Sequence, residues 1–335
     1  MKFSLIICTF RRPEAIRKLL NSVKEQNLKP NEILIVDASE DDFTLNVAND
    51  TSVKVEYFKV DDKNKGLTKQ RNFGIKHVSS SSEIICFLDD DIVLKPEYFQ
   101  KIMETYQVKS DAMAVGGYIL GNSVWVEYKT SEKLFNRYYF DGFSRKLSSR
   151  HLLRKKVGLL PKEKPGIMPE FSNGFSIGFL PPSGKIYQVD YFMGGVSSYK
   201  KGVFDRLSFS EYFHGYGLYE DMDFCLRLSK LGKLYVNTAA QLYHYHEEAG
   251  RPNKYEYGKM VVRNGWYVWK LKNAKPSLKN ILKWHATLLL LTAVRIGNIF
   301  TTTKRKQAFT ESIGRFSGYF SLWFNAPKIH DERRN

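Results

Sequence analysis

The chain has 335 residues, of which 43% are apolar and 26% charged. That supplies a sizeable core and excludes an intrinsically disordered protein. Its net charge of +17 is uneven, because residues 251–335 hold 17 Lys/Arg against 4 Asp/Glu. A basic tail of this kind meets the phosphate of nucleic acid, an anionic lipid surface or a phosphorylated substrate, or else is a solvated face.

Taken in chain order, residues 3–7 are a short apolar run, the pattern of a buried parallel strand. The opening superficially resembles a signal peptide, but Arg11-Arg12-Pro13 follows at once and a small-residue cleavage site is lacking. Pro13 suits the first turn of a helix, which Ile16, Leu19, Leu20 and Val23 continue at helical spacing. Strands are predicted at 33–36, 53–58, 83–88 and 112–120, with helices over 67–78 and 96–106. Strands alternating with helices specify an α/β fold with parallel strands. Residues 121–190 mix basic residues, Pro, Gly and aromatics, and read as long loops over a sheet. A helix over 220–231 and a strand over 233–236 follow, and the last 85 residues read as helical. Their most apolar run, 284–294, falls short of the roughly 20 residues a spanning helix needs, so no transmembrane helix is expected. Cys8, Cys86 and Cys225 are far apart and in apolar surroundings, with no zinc spacing. They read as reduced core thiols of a cytosolic protein.

Ligands of an open α/β sheet sit beyond the carboxyl ends of its strands. Asp89-Asp90-Asp91 ends the fourth strand. Adjacent carboxylates repel one another, and a divalent cation relieves the repulsion. In an extended segment Asp89 and Asp91 would face the same side and share the ion. Asp37 ends the second strand and either accepts from a base or ribose, or makes an Asx-turn. Glu220, Asp221 and Asp223 open a helix, where capping and catalysis are both open readings. His244 and His246 flank Tyr245 after a strand, and both could reach one ion.

Together these residues resemble the inverting glycosyltransferases of family 2 with the GT-A fold. Cys8-Thr9-Phe10-Arg11-Arg12 is similar to the family's opening P-T-[YF]-N-R, and Val36-Asp37-Ala38-Ser39-Glu40-Asp41 to its V-D-[DN]-[GS]-S-x-D. Gly66 to Gly74, with Arg71-Asn72 inside, resembles G-x-x-x-x-R-N-x-G, and Asp89-Asp90-Asp91 the metal-binding D-x-D. Gly194-Gly195 with Lys200-Lys201 and Phe204 resembles the acceptor-side run, and Glu220-Asp221 with Arg227-Leu228 the E-D-x-D-x-x-x-R-L helix. The resemblance implies a Rossmann-like mixed sheet flanked by helices in residues 1–250, with a donor half to 120 and an acceptor and catalytic half over 121–250. The basic helical extension 251–335 lies outside it. It further implies a nucleoside-diphosphate sugar donor, uridine diphosphate above all, held by Thr9, Arg11, Asp37, Arg71, Asn72, Asp89 and Asp90. Mn²⁺ or Mg²⁺ would sit on Asp89, Asp91 and His244. Gly194, Gly195 and Arg227 would meet the acceptor, a saccharide or lipid-linked saccharide of cell-surface polysaccharide or glycolipid synthesis. Asp221 would be the general base, with Glu220 as the second choice.

A haloacid-dehalogenase-like phosphatase is a rival, since residues 85–93 also read as apolar strand then D-x-D-x-V. A basic nucleic-acid-binding protein is another, but the acidic strand-end cluster would repel phosphate without a metal, so no nucleic acid is expected. The basic extension beside Trp, Tyr and Phe has the composition of a segment held on an anionic membrane face without spanning it, which would place the chain on the inner face of the cell membrane.

Overall fold

The computed structural model describes residues 1–121, 123–129, 133–245 and 252–329. Two compact units emerge, one of Met1–Asn122 with Pro182–Arg251 and one of Ser123–Pro181 with Pro252–Asp331. The segment 123–181 thus groups with the C-terminal helices, whereas the sequence placed it in the catalytic domain ending at 250.

The first unit begins with β1 (Phe3–Thr9), α1 (Pro13–Lys24), β2 (Glu32–Asp37), α2 (Phe43–Asp50), β3 (Glu56–Lys59) and α3 (Leu67–His77). It continues through β4 (Ile84–Asp89), β5 (Ile92–Leu94), α4 (Tyr98–Val108) and β6 (Ala112–Ile119). In the second unit lie β7 (Trp125–Glu127), β8 (Arg137–Phe140), β9 (Phe143–Lys146) and α5 (Ser149–Lys156). The chain then returns to the first unit with β10 (Ile186–Val189), β11 (Val196–Lys200), α6 (Glu220–Leu228) and β12 (Lys233–His244). Last come α7 (Lys254–Lys272), α8 (Leu278–Thr301) and α9 (Arg305–Phe324) of the second unit.

The first unit is built on a mixed sheet in the order β10-β12-β6-β11-β4-β1-β2-β3, with β5 added on β12. This is the α/β architecture that the alternating pattern specifies. Leu5, Ile6 and Ile7 of β1 and Ile84, Ile85 and Leu88 of β4 are almost fully buried, so both strands are apolar on both faces. Each such side chain contributes about 1.5–3 kcal/mol by leaving water. Pro13 starts α1, whose Ile16, Leu19, Leu20 and Val23 form the buried stripe. β4, β1, β2 and β3 run parallel, in a register that puts Thr9 beside Asp37, Asp37 beside Lys59 and Cys8 beside Asp89. Their carboxyl ends therefore share one rim. β11 runs antiparallel between β4 and β6, so the chain enters it from that same rim.

Several boundaries differ from the sequence reading. The third strand is Glu56–Lys59 rather than 53–58, and α2 carries too short and weak a pattern to be foreseen. β12 is twelve residues long instead of four. Its Asn237-Thr238-Ala239-Ala240 stretch carries no strand pattern and interrupts the register on β6. The strand is completed by pairing with β5, a contact that local sequence does not encode.

In the second unit, β7, β9 and β8 form a small antiparallel sheet where only loops were expected. Leu147, Phe175 and Phe179 form its core, with Tyr138 packed against them. Trp269 of α7 is fully buried, stacks on Trp284 and donates its indole N–H to the Glu170 carbonyl at 2.8 Å. Among the described residues no helix is long and apolar enough to cross a membrane.

Candidate active site and metal centre

The carboxylate cluster is made by a turn rather than by an extended strand. β4 ends at Asp89, and Asp90 and Asp91 turn the chain into β5. β5 pairs with β12 so that His244 lies opposite Ile92, and the Tyr245 amide donates to the Asp91 carbonyl at 2.8 Å. His244 Nε2 comes within 2.8 Å of Asp91 Oδ1. One ligand atom from each of Asp89, Asp91 and His244 lies within 4.8 Å of the others. Two hard oxygens and one imidazole nitrogen at that separation suit a divalent cation such as Mn²⁺ or Mg²⁺. His246, the other candidate ligand, lies outside the described residues.

Asp90 points the other way. It is buried and receives the Thr9 hydroxyl at 2.8 Å and the Arg12 guanidinium at 2.8 Å. Burial pushes its carboxyl up to about 6, against the pull of Arg12. Arg12 also lies 3.7 Å from Asp91. It is a site residue that sequence reasoning passed over in favour of Arg11. The signal was available: a second arginine beside the first strand end, immediately before the helix starts at Pro13.

Arg71 of α3 is 2% exposed and bridges the two halves of the site. Its guanidinium pairs with the Glu220 carboxylate and lies 3.5 Å from Asp89, over the rings of Phe87 and Phe209. Burial pushes the Glu220 carboxyl up to about 8, while Arg71 opposes the rise. Removing either partner would strand a buried charge at a cost of about 3–5 kcal/mol. Asp221, next along α6, is only half-buried and accepts from the amides of Met222 at 2.7 Å and Gly194 at 3.2 Å. Burial raises its carboxyl as well, with those amides pulling it back. Of the pair, Glu220 is committed to Arg71 and Asp221 is the carboxylate with access to solvent.

Gly194 and Gly195 are glycines because the site closes on them. A Cβ at Gly194 would lie 2.5 Å from the Glu220 carboxylate and 2.7 Å from Arg71. One at Gly195 would lie 2.0 Å from an Asp89 carboxylate oxygen. Gly194 donates to the Asp221 carboxylate while the Gly195 carbonyl accepts from the Asp89 amide, so one dipeptide links the Asp221 side chain to the Asp89 backbone.

Other expected site residues turn out to be engaged elsewhere. Asp37 is fully buried, with the Ser39 amide and hydroxyl on one oxygen and the Tyr57 hydroxyl on the other at 2.9 Å. The Asx-turn is therefore present, and a base could reach the carboxylate only if Tyr57 moved. Arg11 has a positive φ of 56° and an exposed side chain paired with Glu40 at 2.8 Å, away from the carboxylate cluster. The Asn72 side-chain amide clamps the backbone of Phe209 through both its oxygen and its nitrogen. Arg227 is 2% exposed and tied to Asp223 at 2.6 Å and the Ser208 carbonyl at 3.0 Å, so it supports α6 from within.

A mixed sheet with an Asp-Asp-His cluster at its strand ends and a carboxylate-bearing helix beside it is the GT-A kind of α/β fold. Residues 4–163 match glycosyl transferase family 2. It is 27% identical over 132 residues to a glucosyl-dolichyl phosphate glucuronosyltransferase of Haloferax volcanii, covering 38% of this chain and 41% of that protein. It is 30% identical over 139 residues to the uncharacterized glycosyltransferase YwdF of Bacillus subtilis, covering 40% of this chain and 50% of that one. The matched stretches thus span at most half the length of these relatives. Among solved structures, the fold is similar to the mannosyltransferase PcManGT of Pyrobaculum calidifontis in complex with GDP-Man and Mn²⁺. The TM-score is 0.54 at 11% identity, over 97% of this chain and 88% of that one. It is also similar to GalNAc-T7 with UDP, GalNAc and Mn²⁺, at a TM-score of 0.51 and 14% identity over 81% of this chain and 49% of that one.

Proposed function

We propose that the chain transfers a sugar from a nucleoside-diphosphate sugar to an acceptor hydroxyl in one displacement that inverts the anomeric carbon. The observation that carries this is the Gly194-Gly195 dipeptide, which joins a solvent-reaching carboxylate, Asp221, to the Asp89 end of the Asp89, Asp91 and His244 cluster. Asp221 takes the proton from the acceptor hydroxyl, whose own pKa is far too high for it to ionise at neutral pH. The acceptor oxygen forms its bond to the anomeric carbon as the bond to the diphosphate breaks, and the nucleoside diphosphate leaves. Asp89, Asp91 and His244 would hold Mn²⁺ or Mg²⁺, which acts as a Lewis acid toward the diphosphate. Arg71 keeps Glu220 and Asp89 in place between these two functions.

The proposed donor nucleotide is uridine diphosphate, with Asp37 accepting from the base after the Tyr57 hydroxyl moves aside. The acceptor is a saccharide or lipid-linked saccharide of a cell-surface polysaccharide or glycolipid; the Haloferax relative, named for a glucosyl-dolichyl phosphate, supports the lipid-linked choice. The basic C-terminal helices would hold the chain peripherally on the anionic inner face of the cell membrane. The test is a panel of nucleoside-diphosphate sugars with Mn²⁺, scored for release of nucleoside diphosphate. Release of phosphate from simple esters, with no nucleotide released, would instead favour the phosphatase reading.

A further inference from the structure

The helices α8 and α9 are inverted in polarity. Every exposed position of α8 from residue 282 to 300 is apolar: Leu282, Ala286, Leu289, Ala293, Gly297 and Phe300. They recur at steps of three and four, so they lie along one face. Every exposed position of α9 from 309 to 324 is likewise apolar: Phe309, Ile313, Phe316, Phe320, Trp323 and Phe324. Trp323 is 70% exposed and Phe324 91%. The charges are inside. Glu311 of α9 is 5% exposed and accepts Arg295 of α8 at 2.8 Å and Arg315 of its own helix at 2.8 Å. A helix pair in water places its apolar stripe inward and its charges outward, and this pair does the reverse.

The packing between α7 and α9 agrees with that reversal. Gly258 of α7 and Gly314 and Gly318 of α9 bring the backbones into contact. A Cβ at Gly314 would lie 2.0 Å from the Tyr255 carbonyl, and one at Gly258 would lie 2.2 Å from the Glu311 carbonyl. Close backbone approach at small residues is how helices associate where hydrophobic burial between them supplies little drive. Exposed cations bound the apolar faces: Lys272 at the end of α7, Lys275 and Lys279 around the start of α8, and Lys304, Arg305 and Lys306 at the turn into α9.

We propose that the outer faces of α8 and α9 insert into the hydrocarbon boundary of a membrane leaflet, with the flanking lysines and arginines at the headgroups. The inference rests on the membrane location proposed above and changes its physical basis from charge attraction to apolar insertion. Rows of exposed large apolar side chains on two neighbouring helices are seldom left to water. The two basic clusters match an anionic lipid surface and would oppose a like-charged second copy of the chain. Neither helix is apolar enough to span, because its inner face carries the ion pairs, so both lie in the interface.

The experiment is flotation of the full chain with vesicles of phosphatidylcholine alone and of phosphatidylcholine with phosphatidylglycerol, at physiological and at high salt. Insertion predicts flotation on both compositions that survives high salt. It also predicts quenching of tryptophan emission by phospholipids brominated in the acyl chain, with a component lost in Trp323→Phe. Replacing Phe316 and Phe320 together by Asp should weaken binding at least about tenfold while circular dichroism is unchanged. Flotation confined to anionic vesicles and abolished by salt, without quenching, overturns insertion and leaves electrostatic attachment standing. No flotation on either composition overturns both readings. A dimer in sedimentation, lost in the double variant and accompanied by no flotation, assigns the faces to a second copy and overturns the lipid proposal.

Discussion

Gly195→Ala is the substitution that tests the site most directly. The new methyl group would lie 2.0 Å from Asp89 Oδ2, 2.1 Å from Cγ and 2.5 Å from Oδ1, all well inside contact distance. The backbone cannot yield easily, because Asp89 donates to the Gly195 carbonyl at 3.0 Å and Val196 is in register with Leu88. The Asp89 side chain is short and lies at the rim, 37% exposed, so it is the group that swings away. Overpacking of this kind costs about 1–3 kcal/mol, and an exposed carboxylate that can rotate belongs at the low end. The chain should therefore stay folded, with a melting temperature lowered by roughly 2–4 °C per kcal/mol. The metal cluster, however, loses one of its three ligands. Disturbing even an outer partner of a metal ligand weakens metal affinity by about 10–100-fold, so displacing the ligand itself should cost at least that. Calorimetric titration of Mn²⁺ with uridine diphosphate, together with turnover against Mn²⁺ concentration, reads the effect. A folded Gly195→Ala protein with unchanged metal affinity and unchanged turnover would refute the assignment of Asp89 to the metal. Gly194→Ala is the matched control, because its methyl group meets Glu220 and Arg71 instead and should lower stability more than metal binding.

Asp221→Asn should keep donor binding and lose transfer by about 10²–10⁴-fold, the usual worth of a general base. Glu220→Gln should instead lower the melting temperature, since it leaves Arg71 buried without its counter-charge; an active, stable Glu220→Gln with an active Asp221→Asn would remove both assignments. Because burial raises Asp221 and a base must be ionised to act, the rate should fall as pH drops through a value above the ordinary 3.8. A pH–rate profile flat down to pH 3.8 contradicts that. Asp91→Asn or an excess of EDTA should abolish turnover, and full activity in chelator would exclude a metal on this cluster. Uridine diphosphate should bind more tightly than guanosine or thymidine diphosphate in a thermal-shift series, the reverse order refuting Asp37 as the base reader.

The sequence by itself determined the layered α/β fold and the rim on which the chemistry lies. Apolar runs such as residues 3–7 and 83–88 can be satisfied only by strands buried on both faces. Polar residues that follow such strands must therefore collect at the sheet's carboxyl edge. Asp89 and Asp91 were legible for that reason, and the Glu220-Asp221 pair through its place at the start of a helix and the resemblance to the family's motif. Tertiary structure alone decided which partners each of these carboxylates meets. Asp90 turns inward because Thr9 and Arg12 meet it, and Arg12 stands 78 residues away in sequence. His244 reaches Asp91 because β12 continues past its interruption and pairs with β5, a contact without local signature. Glu220 is separated from Asp221 by its pairing with Arg71, 149 residues distant. The sequence also gave the composition of the C-terminal helices but not their orientation. Charge and aromatic content are sums over residues, whereas the inward placement of Glu311 and the outward placement of Phe316 and Trp323 depend on which helices pack together.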